Sequence, residues 1–200
     1  GYQMTDEEAA ETYGFIQKVD YFTGIKKVDF DKAVADGMIE YIGQDVIELF
    51  LDEVQKQCIN PDIVKNADLK VIYTPLNGTG NKPVRRILDR IGVKNVYVVP
   101  EQENPDGNFP TCPFPNPEIK QVFELGLEMN KTINADLLLA TDPDCDRVGI
   151  AVPDDKGEPV LLSGNEVGAM LLNYILSERK AKGTLPSSAI AVKSFVSTDL

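Results

Sequence analysis

The sequence predicts an α/β fold: a three-layer α/β/α domain on a mainly parallel mixed sheet, with the beginning of a second similar domain behind it. Three observations predict this. Apolar runs of strand length recur at Leu69–Tyr73, Val96–Val99 and Asp136–Ala140. Stretches with helical spacing lie between them. The runs are continuous rather than alternating, as in strands covered on both faces of a parallel sheet.

The first sixty residues read as helical. Thr5 and Glu8 form a capping box ahead of Ala9, Tyr13 and Ile16, which share a face. Ile47, Phe50, Leu51, Val54 and Cys58 predict a second amphipathic helix, ended by Asn60-Pro61. After the Leu69–Tyr73 strand comes the turn-rich Asn77-Gly78-Thr79-Gly80, then a helix carrying Val84, Ile87, Leu88 and Ile91 inward. Lys82, Arg86 and Arg90 line its other face, expected to be solvated, and Gly92 stops it. Residues 100–116 hold five prolines and read as extended loop. Asn116-Pro117-Glu118 predicts a helix start with Ile119, Val122, Phe123 and Gly126 inward. Val148–Val152 and Pro159–Leu162 flank the turn Asp154–Gly157 as a hairpin. Ser163 and Glu166 form another capping box before the stripe Val167, Met170, Leu171, Tyr174, Ile175, and Ala189–Lys193 predicts a further strand. The expected divisions are a helical tail at 1–40, a complete α/β domain at 41–160 and the start of another at 161–200.

Composition narrows the chemistry. The 200 residues carry a net charge of −12, which argues against nucleic acid as partner. There is no histidine, hence no imidazole base or ligand and no Ser-His-Asp triad within the chain. Three cysteines without a CxxC pair fit a reduced, cytoplasmic setting. No apolar run reaches bilayer length and no charged-then-apolar leader opens the chain, so no membrane association is expected.

The informative run is Thr141-Asp142-Pro143-Asp144-Cys145-Asp146-Arg147, directly after the third strand. Ligands of open parallel sheets gather beyond the carboxyl ends of strands. Three carboxylates at i, i+2, i+4 converge when a cation offsets their repulsion, and all-oxygen ligation suits Mg²⁺ better than Zn²⁺. Cys145 reads as a spacer pointing away. An EF-hand fails, because its glycine and glutamate positions hold Arg147 and Pro153. An aspartyl-phosphatase loop of the DxDx(T/V) form meets Asp146 at its fifth position. The plain alternative is a solvated acidic turn. Arg147 supplies a planar fork suited to a phosphate oxygen beside a metal.

These residues resemble the α-D-phosphohexomutases, the phosphoglucomutase and phosphomannomutase family. TDPDCDR matches the family's DGDGDR-type metal loop at every charged position, with Pro143 and Cys145 as spacers. TPLNGTG at 74–80 is similar to the family's TPLHGTG turn, with Asn77 in place of histidine. The stretches 105–118 and 162–176 resemble the approach to the metal loop and the opening of the third domain, and Gly1-Tyr2-Gln3 the segment downstream of the catalytic serine.

The resemblance implies a four-domain enzyme of which this chain is the second domain with flanking pieces. It implies that Asp142, Asp144 and Asp146 bind Mg²⁺ and that Arg147 lies beside the transferring phosphate of a sugar phosphate. A phosphoserine upstream would pass its phosphoryl group to the sugar and recover the other through a bisphosphate, interconverting hexose 1- and 6-phosphates. None of the six serines precedes a histidine, so no catalytic residue is expected in this chain, which should bind Mg²⁺ weakly and turn over nothing without its other domains. A phosphopentomutase of the same family, and a non-catalytic metal-binding or scaffold module, are the alternatives.

Overall fold

The computed structural model describes residues 3–194 and Ser197; Gly1 and Tyr2 of the tail noted above lie outside them. The chain divides into two compact units, Gly1–Gln44 and Asp45–Leu200.

In the first unit, α1 (Asp6–Ile16) begins at the Thr5–Glu8 capping box, with both reciprocal bonds made. Its apolar face stays open: Tyr13 and Ile16 are both exposed. The Asp20 carboxylate accepts bonds from Phe22 N–H, Thr23 N–H and the Thr23 hydroxyl, which hold its pKa below the usual aspartate range. A short helix α2 (Phe30–Ala35), capped by Asp29, buries Ala33.

In the second unit, α3 (Gln44–Gln55) buries Leu51 from the predicted stripe. It ends before Cys58, and Asn60-Pro61 starts a new helix instead of closing the old one: α4 (Pro61–Asn66) has Pro at its first position, where no N–H is needed. Strand β1 (Lys70–Thr74), helix α5 (Asn81–Ile91), strand β2 (Asn95–Val98) and a single turn, α6 (Pro100–Glu103), follow. Gly92 closes α5 at φ 103°, the left-handed conformation that favours glycine. The predicted helix start at Asn116 is corrected. Asn116-Pro117-Glu118 forms a turn, a 3-10 segment spans Lys120–Phe123, and α7 (Glu124–Ile133) begins only there. The cap chemistry is genuine, but Asn116 uses its side chain to hold the Glu118 amide while Pro117 is buried against the sheet.

Strands β3 (Leu137–Thr141), β4 (Val148–Pro153) and β5 (Pro159–Leu162) complete a sheet of order β2-β1-β3-β4-β5. β1 pairs parallel with β2 and β3; β4 and β5 add the predicted antiparallel hairpin. Ile72 sits beside Leu138 in the β1–β3 register and both join the core with Val99, Val122, Phe123 and Ala151. Val71 and Tyr73 are also buried, so β1 is covered on both faces and its continuous apolar run is explained. Gly126 of α7 lies over Ile72 and Leu138 at ordinary contact distances. Gly149 of β4 has a stricter role: an added Cβ would fall 2.0 Å from the Pro117 carbonyl oxygen, so the proline-rich loop rests on bare strand.

The basic stripe on α5 is likewise corrected. Arg86 pairs with Glu48, and Arg90 pairs with Glu48 and with Asp52 at 2.7 Å, so two of the three cations bind α3 to α5 rather than facing water. Lys82 is exposed as expected. Finally, α8 (Gly164–Ala181) starts at the Ser163–Glu166 capping box, yet Met170 and Leu171 of its stripe are exposed. Its far end is held by polar contacts: Asn60 Nδ2 donates to Tyr174 Oη (3.0 Å) and Glu178 Oε2 (2.8 Å), and Lys182 Nζ donates to the Ile59 carbonyl (2.6 Å). Residues 189–193 form no strand, since among the described residues no strand lies beside them to pair with, and Ile190 and Val192 stand exposed.

Candidate metal centre

β3 is the middle strand of the sheet, and the acidic loop leaves its carboxyl end. Thr141 is the last residue of β3 and is buried; its Oγ1 lies 2.9 Å from the Tyr73 hydroxyl on β1. Burial drives the Tyr73 phenol well above its ordinary pKa, so it stays a neutral anchor beneath the loop. Asp142 follows and is itself buried, at 5% exposure. The residue is tied into the loop twice: Oδ1 accepts the Arg147 N–H at 2.9 Å, and its backbone carbonyl accepts the Cys145 N–H at 3.0 Å. The loop therefore folds back on its first residue. Cys145 completes the reversal at φ 64°, unusual for a residue with a side chain.

That reversal gathers the predicted trio. One carboxylate oxygen from each of Asp142, Asp144 and Asp146 lies within 4.8 Å of the others, with Asp142 buried and the other two exposed. The cost of this gathering is visible at Asp146. Its carboxyl is held above the usual aspartate range, first by a hydrogen bond with the Asp142 side chain and then by the charge of Asp144, with Arg147 acting in the opposite sense. The Arg147 guanidinium stands 3.7 Å from Asp142 and 3.9 Å from Asp146, and is more than half exposed. Cys145 contributes no ligand atom to the cluster. Burial raises its thiol pKa, and its sulfur lies beside Thr141 and Gly80.

The turn-rich stretch after β1, Pro75 to Gly80, packs against this loop. The Thr79 N–H and hydroxyl both donate to the Pro143 carbonyl, at 2.8 and 3.1 Å. A Cβ on Gly80 would come within 3 Å of the Tyr73 hydroxyl, Thr141 Oγ1 and Cys145 Sγ, at 2.7, 2.8 and 2.9 Å. The signal for this was present in the two glycines flanking Thr79, which mark a close backbone approach. What they approach is set by the β1–β3 pairing. Asn77, at φ 57°, faces the other way: its Nδ2 donates to the carbonyls of Glu101 and Asn104, and its N–H to that of Gln102. Gln102 is buried and bridges Thr74 (2.7 Å) and Thr111 (3.1 Å), so the turn is stitched to the proline-rich loop as well.

The donor set fits a small hard dication. It offers carboxylate oxygens only, with thiol outside the cluster and histidine absent, and the hydrogen bond to Asp142 together with the charge of Asp144 already raises the proton affinity of Asp146.

A mixed sheet between helices, carrying an acidic loop where its middle strand ends, is the architecture of an α/β/α domain. The chain belongs to the phosphoglucomutase/phosphomannomutase family: residues 48–157 match the family's alpha/beta/alpha domain II. A phosphoribomutase of Saccharomyces cerevisiae is 36% identical over 76% of this chain and 26% of its own length. A phosphoglucomutase of Staphylococcus saprophyticus is 32% identical over the whole chain and 35% of its own length. A crystal structure described as a phosphomannomutase from Thermus thermophilus aligns with TM-score 0.52 at 20% identity, covering 66% of this chain and 29% of that one, and supports the fold. The chain thus spans about a quarter to a third of the length of these relatives. No described helix is long and apolar enough to cross a membrane.

Proposed function

We propose that this chain is the metal-loop portion of a mutase that moves a phosphoryl group between positions of a phosphorylated sugar. The observation that carries the proposal is the convergence of Asp142, Asp144 and Asp146 at the carboxyl end of the middle strand. Those three would hold Mg²⁺, which when bound would neutralise charge on the transferring phosphoryl group. Arg147, beside two of the ligands and open to solvent, would hold a phosphate oxygen. The buried Asp142 and the Tyr73–Thr141 pair keep the loop in place while phosphate and sugar come and go. The nucleophilic serine and the sugar-contacting segments would come from the remaining domains of the same protein, and the bisphosphate would reorient between them. In this reading residues 1–40 belong to the end of the preceding domain, 41–160 form the metal-loop domain and 161–200 open the next. Three free cysteines suit a cytoplasmic enzyme.

Hexose 1- and 6-phosphates are the proposed substrates. Pentose phosphates are a second reading, favoured by the similarity to a phosphoribomutase. The test is turnover of glucose 1-phosphate, mannose 1-phosphate and ribose 1-phosphate by the full-length parent, with and without Asp144→Ala. Loss of turnover with folding intact supports the metal-loop role. Unaltered turnover in Asp144→Ala removes it, and turnover by the 200-residue chain alone would refute the dependence on other domains.

A further inference from the structure

We infer that Thr79 is a positioning residue for the metal loop, setting where the second carboxylate stands relative to the first; the inference rests on the metal-loop reading above. Pro143 separates Asp142 from Asp144 and has no N–H, so its carbonyl is the only main-chain polar handle that this residue itself offers between those two ligands. Thr79 takes that handle twice, through its N–H at 2.8 Å and its hydroxyl at 3.1 Å, filling both lone pairs of the oxygen. Two donors from one residue fix the plane of the Pro143–Asp144 peptide, and that plane determines the direction in which Asp144 leaves the backbone.

Three further features assign the role to Thr79 rather than to the turn at large. Thr79 is exposed while Gly78 and Gly80 are buried, so its hydroxyl could bond to water equally well and burial does not force the contact. Threonine is stiff about χ1, so a hydroxyl once aimed stays aimed. The flanking glycines remove the only atoms that would hold the two backbones apart: a Cβ at Gly78 would overlap Pro143, and one at Gly80 would meet Thr141 and Cys145. A contact of this kind adds little to stability, because water replaces it readily. It adds to metal binding, because outer partners that orient ligands tune affinity.

The experiment is calorimetric titration of the purified protein with Mg²⁺ alone, for wild type, Thr79→Val, Thr79→Ser and Asp144→Asn, with metal-free thermal unfolding of each. Thr79→Val keeps the shape and the N–H but deletes the hydroxyl. It is expected to weaken Mg²⁺ about tenfold, the low end for loss of an outer-shell partner, with its metal-free midpoint unmoved. Thr79→Ser is expected to recover most of the affinity. Wild-type affinity in Thr79→Val overturns the inference, as does a serine variant no better than valine or a midpoint that falls in step with affinity. If wild type and Asp144→Asn take up Mg²⁺ equally or not at all, the metal-loop reading fails and the inference fails with it, a result distinct from failure at Thr79 alone.

Discussion

Gly78 and Pro143 meet backbone to backbone: a Cβ placed on Gly78 would lie 2.3 Å from Pro143 Cα and 2.5 Å from its carbonyl oxygen. The turn after β1 and the loop after β3 are thus in contact through a surface that admits no methyl group. Gly78→Ala must push one backbone away, and neither neighbour is a flexible side-chain end that could yield. It is expected to cost about 1–3 kcal/mol, the usual penalty for overpacking, and to weaken Mg²⁺ binding as well. Gly168→Ala is the control: it sits inside α8 with open space around it and should stabilise by about 0.5–1 kcal/mol. Urea unfolding of both variants, with a Mg²⁺ titration of Gly78→Ala, checks the pair.

How much of this was legible in the sequence depends on distance along the chain. β1, β2, β3, the hairpin and both capping boxes follow from patterns shorter than about 20 residues, in which local chemistry decides the outcome. The acidic trio was legible for the same reason, since Asp142, Asp144 and Asp146 sit within one loop. The packing of Gly78, Thr79 and Gly80 on that loop was not, because their contact with Pro143 and Thr141 exists only after β1 pairs with β3. The start of α7 was misplaced because Asn116 and Pro117 have cap chemistry that tertiary packing used for a turn under β4. The exposed stripe on α8 and the unpaired segment at 189–193 show the reverse case. Their apolar patterns are clear, but a pattern becomes a face or a strand only against a partner surface.

The α3–α5 ion pairs offer a test of the arginine stripe. Glu48 serves both Arg86 and Arg90, and Asp52 serves Arg90 again, with all four side chains partly exposed. Solvent screening limits each pair to about 0.2–1 kcal/mol. Glu48→Gln should therefore destabilise by no more than about 1–2 kcal/mol, the sum of two such pairs. The effect should shrink in high salt, because exposed pairs are screened. A double-mutant cycle of Glu48→Gln with Arg86→Gln, in low and high salt, measures it; a coupling indifferent to salt would show that packing, not charge, joins the helices.

The Ser163–Glu166 box predicts a pH dependence whose sign is fixed. Glu166 accepts bonds from the Ser163 N–H and hydroxyl, and these hold its pKa below the ordinary glutamate value. A carboxylate depressed in the folded state contributes stability that is fully present above its unfolded pKa, about 4.3. That contribution is lost as the pH falls through the depressed value. Glu166→Gln keeps the capping geometry but cannot titrate. Its stability relative to wild type should improve as pH drops from about 6 to about 3, read by urea unfolding at each pH. A difference that stays flat over that interval would mean the box does not form in solution.

The acidic loop itself should behave as two kinds of aspartate. Asp144 is exposed and its carboxylate adds to the repulsion that raises the pKa of Asp146. Asp142 is buried and accepts the Arg147 N–H that closes the loop. Asp144→Asn should therefore unfold without metal no earlier than wild type, since it removes repulsion, yet lose the rise in thermal midpoint that Mg²⁺ gives by binding the folded state. Asp142→Ala should lose that rise too, and cost a further 1–3 kcal/mol (roughly) without any metal, the worth of the hydrogen bond to a charged acceptor that closes the loop. Thermal unfolding of the three proteins, with Mg²⁺ and after chelation, separates them. If chelation leaves the wild-type midpoint unchanged while Asp144→Asn stabilises, the trio is a strained acidic turn, and the charge it concentrates serves some purpose other than holding a cation.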